Sequence, residues 1–159
     1  MTSIYSFRDP LVRRAIHAIK YFHRKDLLEP LSKELAHELS QESYKSYTLV
    51  PIPMPRLRRY MRGYNQAGLL AEILSKKTSL PFRCDVLVRT HNVARQVRAK
   101  ERSSRLKNQR GSFRVVGTVE NMNIALIDDV TTTGATINEA RKMLLQAGAR
   151  TVKVFTIAH

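Results

Sequence analysis

Apolar residues recur along this chain with two different periods, and the switches between them predict most of the fold. Leu11, Val12, Ala15, Ile16 and Ile19 follow the 3.6-residue spacing of a buried helical stripe. Asp9-Pro10 starts that helix, because aspartate accepts from free first-turn amides and proline is tolerated in the first turn. A second helix is predicted from about Pro30 through "LSKELAHELSQ", with Leu31, Leu35 and Leu39 on one face. Gly63 permits a turn, Asn65 can cap the next helix, and "QAGLLAEILSKK" buries Ala67, Leu70, Ile73 and Leu74. In "INEARKMLLQAGA" the stripe is Ile137, Ala140, Met143 and Leu144, with Gly148 as the stop.

Short β-rich runs lie between these helices. "SYTLVPIPM" is one, ended in an irregular loop by Pro51, Pro53 and Pro55; "DVLVRT", "SFRVVG", "NIALIDDV" and "TVKVFTIAH" are the others. The apolar run at 124–127 is what a strand buried on both faces of a parallel sheet requires. Strand, helix, strand, helix, strand predicts an α/β domain with parallel strands and right-handed crossovers.

Composition adds limits. At 159 residues and 43% apolar content, the chain has the size of one domain and the makings of a packed core. No apolar run approaches the roughly 20 residues of a membrane helix. The opening "MTSIYSFRDPLVRR" lacks the pattern of a secretory signal, so a cytoplasmic location is expected. Cys84 is the only cysteine, which leaves no internal disulfide and no multi-thiolate metal site. The histidines (His17, His23, His37, His91 and His159) have no metal-ligand spacing. No serine or cysteine nucleophile signature is present.

Charge is the outlier, at +15 with a pI near 10.5. "PRLRRYMRG" contributes Arg56, Arg58, Arg59 and Arg62, and residues 83–114 carry ten basic residues against Asp85 and Glu101. Together these stretches account for 12 of the 15 charges, so the excess is clustered and suits a polyanion, either nucleic acid or a pyrophosphate-bearing metabolite. The basic run "HNVARQVRAKERSSRLKNQR" reads as an exposed loop or a loosely held helix.

Against this background, "IALIDDVTTTGAT" sets two acids, Asp128 and Asp129, at the end of a buried strand. A strand end that turns into a helix offers free amides at a positive dipole end, an anion site. Gly134 allows close approach there, and Thr131, Thr132, Thr133 and Thr136 add hydroxyls. No Gly-Lys-Ser/Thr follows, so this is not a P-loop. Acids repel phosphate, but adjacent carboxylates can accept from the vicinal hydroxyls of a ribose and attract Mg²⁺. The stretch therefore suits a sugar phosphate.

Residues 124–136 closely resemble the phosphoribosyl pyrophosphate (PRPP) motif of type I phosphoribosyltransferases. The resemblance implies an α/β fold with a mostly parallel sheet flanked by helices and a small hood, with residues of about 1–45 and 90–117 contributing hood and flexible loop. It implies that Asp128 and Asp129 bind the ribose hydroxyls and that Thr131, Thr132, Thr133, Gly134, Ala135 and Thr136 wrap the 5′-phosphate. By analogy, Pro53, Met54, Pro55, Arg56 and Arg62 would receive pyrophosphate, Arg56 and Arg62 being favoured over Arg58 and Arg59. Arg98, Lys100, Arg102 and Arg105 would belong to a mobile flap over PRPP. Mg²⁺ would enter with PRPP, a nitrogen acceptor would displace pyrophosphate, and a homodimer is expected. In relatives acting on 6-oxopurines a carboxylate stands three residues after the second acid. Here that position is Thr132, which disfavours a 6-oxopurine.

Within that fold, the chain is similar to the ComF (competence protein F) family. The similarity rests on Lys20-Tyr21, on Val50, Pro51 and Pro53, on Asn65-Gln66, and on Arg105, Asn108, Gly111 and Phe113. Members linked to transformation commonly carry an N-terminal cysteine-rich zinc module, which is not expected here. That weighs against an inherited role in handling DNA, as do an aromatic content of 7%, no tryptophan and no aromatic residue in 95–110. PRPP-dependent transfer is the favoured expectation. The alternative is a nucleic-acid-associated protein of DNA uptake that keeps the fold without turnover.

Overall fold

The computed structural model describes residues 1–90 and 112–159. Its main sheet has four parallel strands in the order β1-β6-β5-β2: β1 (Thr2–Tyr5), β2 (Tyr47–Pro51), β5 (Asn123–Val130) and β6 (Thr151–Ala158). A two-stranded antiparallel sheet pairs β3 (Leu87–Arg89) with β4 (Phe113–Val115). The helices are α1 (Pro10–Tyr21), α2 (Leu28–Leu31), α3 (Lys33–Leu39), α4 (Arg56–Arg62), α5 (Gln66–Thr78) and α6 (Ala135–Gln146).

Alternation along β5 divides the core in two. Ala125 and Ile127 join Ile16 and Ile19 of α1, Leu35 and Leu39 of α3, and Leu70 and Leu74 of α5. Ile124 and Leu126 join Ile137, Ala140 and Leu144 of α6, together with Leu87 and Phe113 of the small sheet. The central strand is thus buried on both faces, as its apolar run requires.

Several local expectations hold. Asp9 accepts from Leu11 N at 2.8 Å and Val12 N at 3.4 Å, with Pro10 opening α1. Gly148, at φ +96°, lies just past the end of α6.

Others differ. The helix expected from Pro30 is two pieces meeting at Ser32, whose hydroxyl donates to the Glu29 carbonyl at 2.8 Å. Strand β1 was not expected from the sequence: at four residues it is too short for a strand's alternation to register. Residues 1–45 supply this edge strand and the three helices α1–α3 over the main core. The stretch after Pro55, read as irregular, forms α4: proline sets a helix-compatible entry, and Gly63 at φ +73° ends it. Asn65 does not cap α5; its Nδ2 donates to the Ile52 carbonyl at 3.0 Å and ties the helix start to the end of β2.

Candidate functional site

The carboxyl ends of β2 and β5 open into a cavity of about 290 Å³. It brings Asp128, Asp129 and Thr136 together with Pro53, Met54, Pro55 and Arg62, so residues some 70 positions apart in sequence share one wall. Lys20, Arg58, Asn65, Gln66 and Arg89 complete its polar lining.

Consecutive strand residues face opposite ways, and this sets the two acids apart. Asp129 points into the α1 layer, where its Oδ2 lies 2.9 Å from Lys20 Nζ. Its Oδ1 accepts from Val130 N at 2.8 Å. Asp128 points the other way, and its Oδ1 accepts from Asp129 N at 2.9 Å. Burial, and then the negative charge of Asp129, hold the Asp128 carboxyl well above the usual carboxylate range; Lys20 opposes this shift.

Arg89, at the end of β3, sits on the Asp128 side with its guanidinium 5.1 Å from the Phe113 ring centre. Burial, and then the nearby Arg58, lower its pKa, while Glu139 and Asp128 act in the opposite direction. Cations and carboxylates thus interleave around the cavity. Gln66 is 2% exposed, and among the described residues its Nε2 has no hydrogen-bond partner, so a buried donor stands unspent at the wall.

The turn from Thr131 to Gly134 leads from β5 into α6. Thr131 N donates to the Ala158 carbonyl at 3.1 Å, pinning the turn to β6. Thr131 is buried, Thr132 and Thr133 are exposed, and Thr133 Oγ1 accepts from Ala135 N at 3.4 Å. Of the residues expected to cup a phosphate, Thr136 lines the cavity; Thr131, Thr132, Thr133 and Gly134 form the adjoining turn, and Ala135 opens α6.

Gly134 has φ +68° at the N-cap of α6, a left-handed conformation that L side chains rarely adopt. Gly134→Val is expected to cost about 1–2 kcal/mol and to lower Tm by about 2–8 °C. Gly134→Asn, which tolerates this region, should lose less than half as much by differential scanning calorimetry.

Helix α4 sorts the four arginines. Arg58 and Arg62, four residues apart, line the carboxylate cavity, whereas Arg56 and Arg59 line a neighbouring one beside Cys84. Arg56 was preferred over Arg58 in the sequence, and the helical period exchanges them. Arg98, Lys100, Arg102 and Arg105 lie outside the described residues. The sequence reading did not assign Lys20, Gln66 or Arg89 to the site. Lys20-Tyr21 and Asn65-Gln66 stood out only as dipeptides of a family pattern, and Arg89 carried no signal beyond its place at the end of a strand.

Among the described residues, no group of three or more His, Cys, Asp or Glu side chains could hold a metal ion. No helix among them is long and apolar enough to cross a membrane. The aromatic content, low overall, is unevenly placed: Tyr21, beside Arg62, and Tyr60, within α4, are 60% and 89% exposed.

No protein-family model matches the chain. It is 30% identical over 155 residues to the DNA utilization protein YhgH of Shigella flexneri, covering 93% of this chain and 67% of that protein. It is 32% identical over 157 residues to competence protein ComFC of Bacillus subtilis, covering 98% of this chain and 62% of that one. Among solved structures, the allosteric regulatory enzyme of purine biosynthesis superposes with a TM-score of 0.56 at 23% identity, over 82% of this chain and 25% of that one. A hypoxanthine phosphoribosyltransferase from Staphylococcus aureus gives 0.52 at 16% identity, over 83% of this chain and 62% of that one. The chain thus spans about two thirds of these curated relatives and a quarter of the purine-biosynthesis enzyme.

Proposed function

This chain belongs to the ComF family and has the type I phosphoribosyltransferase fold, and from that premise we propose that it binds PRPP and transfers its phosphoribosyl group to a nitrogen acceptor, releasing pyrophosphate. The observation that carries this reading is the single cavity in which the Asp128–Asp129 pair meets residues 53–55, Arg58, Arg62 and Arg89. A ligand with vicinal hydroxyls at one end and concentrated negative charge at the other matches that division.

In this reading Asp128 and Asp129 accept from the ribose hydroxyls, while residues 131–136 receive the 5′-phosphate at the start of α6. Arg62 and Arg58, with the backbone of residues 53–55, hold the pyrophosphate; Arg56 stands on the adjoining wall. Two carboxylates are too few to bind a divalent cation alone, so Mg²⁺ fits only as an ion shared with PRPP oxygens near Asp128 and Asp129. When bound, it would neutralise charge on the departing pyrophosphate. The protein's part is to align the anomeric carbon with the acceptor nitrogen and to stabilise the leaving charge with its arginines.

Calorimetry with PRPP and Mg²⁺ tests this. Wild type should bind, and Asp128→Asn/Asp129→Asn should bind at least a hundredfold more weakly, the loss of two charge-accepted hydrogen bonds at about 1.5–3 kcal/mol each. Unchanged affinity in the double variant would sink the ribose assignment.

A second reading, association with nucleic acid, is favoured by the exposed rings of Tyr21 and Tyr60 beside the arginines of α4, since rings stack on bases and arginines follow phosphates. The names of the relatives point the same way for those proteins. A gel-shift series from low to high salt tests it; no retardation of a single-stranded oligonucleotide at low salt would remove it.

A further inference from the structure

Beside the carboxylate cavity lies a second one of about 280 Å³, lined by Lys20, Tyr21, His23, Arg58, Met61 and Arg62. Lys20, Arg58 and Arg62 line both, so molecules bound in the two would touch. Among the described residues, no acid lines the second cavity. Among the described residues, Arg58 and Arg62 have no carboxylate partner. The Arg62 guanidinium instead lies 5.2 Å from the Tyr21 ring centre. A π-face orients a guanidinium without using its in-plane N–H donors, so one edge can serve a phosphate in the first cavity and the other edge an anion in the second. Tyr21 and Met61, 60% and 74% exposed, add apolar area to the cavity wall.

Resting on the PRPP reading, we propose that this second cavity takes the acceptor, and that the acceptor is a planar nitrogen-containing ring bearing a carboxylate. The charged groups in its wall are donors. A carboxylate meets a guanidinium fork with two parallel charge-assisted hydrogen bonds and neutralises the cations, whereas a neutral ring accepts through a carbonyl or ring nitrogen and leaves their charge uncompensated. The volume suits one ring, set against Tyr21 and the Met61 thioether. In the transfer, the ring-nitrogen lone pair forms the new C–N bond at the anomeric carbon. The C–O bond to pyrophosphate breaks, pyrophosphate leaves with that electron pair, and any proton on the nitrogen passes to solvent.

Two matched pairs of probes differ in the carboxylate alone: nicotinate against nicotinamide, and orotate against uracil. Calorimetry on the whole chain without PRPP should give the acid of at least one pair a tenfold or greater advantage over its neutral partner. Met61→Glu places an acid at an exposed position of the cavity and should erase that advantage while leaving the neutral ring unaffected. Tyr21→Leu should weaken the acid at least fivefold and PRPP less than twofold, since Tyr21 lines the second cavity and reaches the first only through the Arg62 guanidinium. Equal affinity within both pairs, a preference for the neutral rings, or no binding of any probe would overturn the proposal, as would full acid affinity in both variants. The separate PRPP titration keeps the parent reading distinct: acid preference without PRPP binding removes the acceptor role, and PRPP binding without acid preference removes only the acceptor class.

Discussion

Asp128→Asn should make the protein more stable and less able to bind. Burial and the Asp129 charge raise the folded-state pKa of Asp128 above its unfolded value. A group shifted in that direction contributes stability below its unfolded pKa, and that contribution is lost as pH rises through the folded pKa. Above that range the protein holds a desolvated carboxylate beside another, a strain that function retains. Asparagine keeps the shape and can still accept from the Asp129 amide, but carries no charge. The expected gain is about 1–2 kcal/mol, a rise in Tm of about 2–8 °C at pH 8, shrinking toward zero near pH 4. PRPP affinity should fall at least tenfold in the same variant, one charge-accepted hydrogen bond being worth about 1.5–3 kcal/mol. Melting curves across pH check the first part, and calorimetry the second. A Tm gain that is equal at pH 4 and pH 8 would refute the electrostatic origin.

Lys20→Met should do the reverse. Lys20 and Asp129 lie 2.9 Å apart, with side chains 24% and 12% exposed, so each is partly removed from water. Removing one partner of a buried pair leaves the other charged and uncompensated, at about 3–5 kcal/mol when burial is complete. Partial exposure reduces this to about 2 kcal/mol, a fall in Tm of roughly 4–8 °C. The loss should be larger at pH 8 than at pH 4, because Lys20 also offsets the charge that raises Asp128. Lys20→Met/Asp129→Asn should recover most of the loss, and the double-mutant cycle isolates the pair from the packing of the lysine stem. If the double variant melts no higher than Lys20→Met, the ion pair is not the cause.

Residues 123–136 were the most readable part of the sequence because their logic is local. An apolar run that needs two covering layers, two acids and a glycine-bearing turn stand in order within 14 residues. The contribution of α1 is not local: Lys20 reaches Asp129 across a whole layer, and no periodicity reports a partner 109 positions away. The arginines of α4 were hard to sort for another reason, although Arg62, favoured from the sequence, does line the carboxylate cavity. Read as a loop after three prolines, the stretch had no faces, so four arginines could be ranked only by position. Once it is a helix, spacing alone assigns Arg58 and Arg62 to one cavity and Arg56 and Arg59 to the next. Gln66 was visible as part of a dipeptide pattern, but its burial and its unspent donor depend on how Asn65 fastens the helix start to the end of β2.

The strand order β1-β6-β5-β2 also fixes when the protein can come into being at the ribosome. The two outer strands are made before any main-sheet strand they can join, since among the described residues β1 pairs with β6 and β2 with β5, both from residues 123–158. Such pairings are long in sequence and slow to form. Until they form, the apolar faces of α1, α3 and α5 have little to cover them, which is the condition under which nascent chains recruit chaperones. Asp128 and Asp129 emerge on the strand that closes the sheet. A nascent chain of this protein therefore has no working pocket at any stage before β5 and β6 are both released.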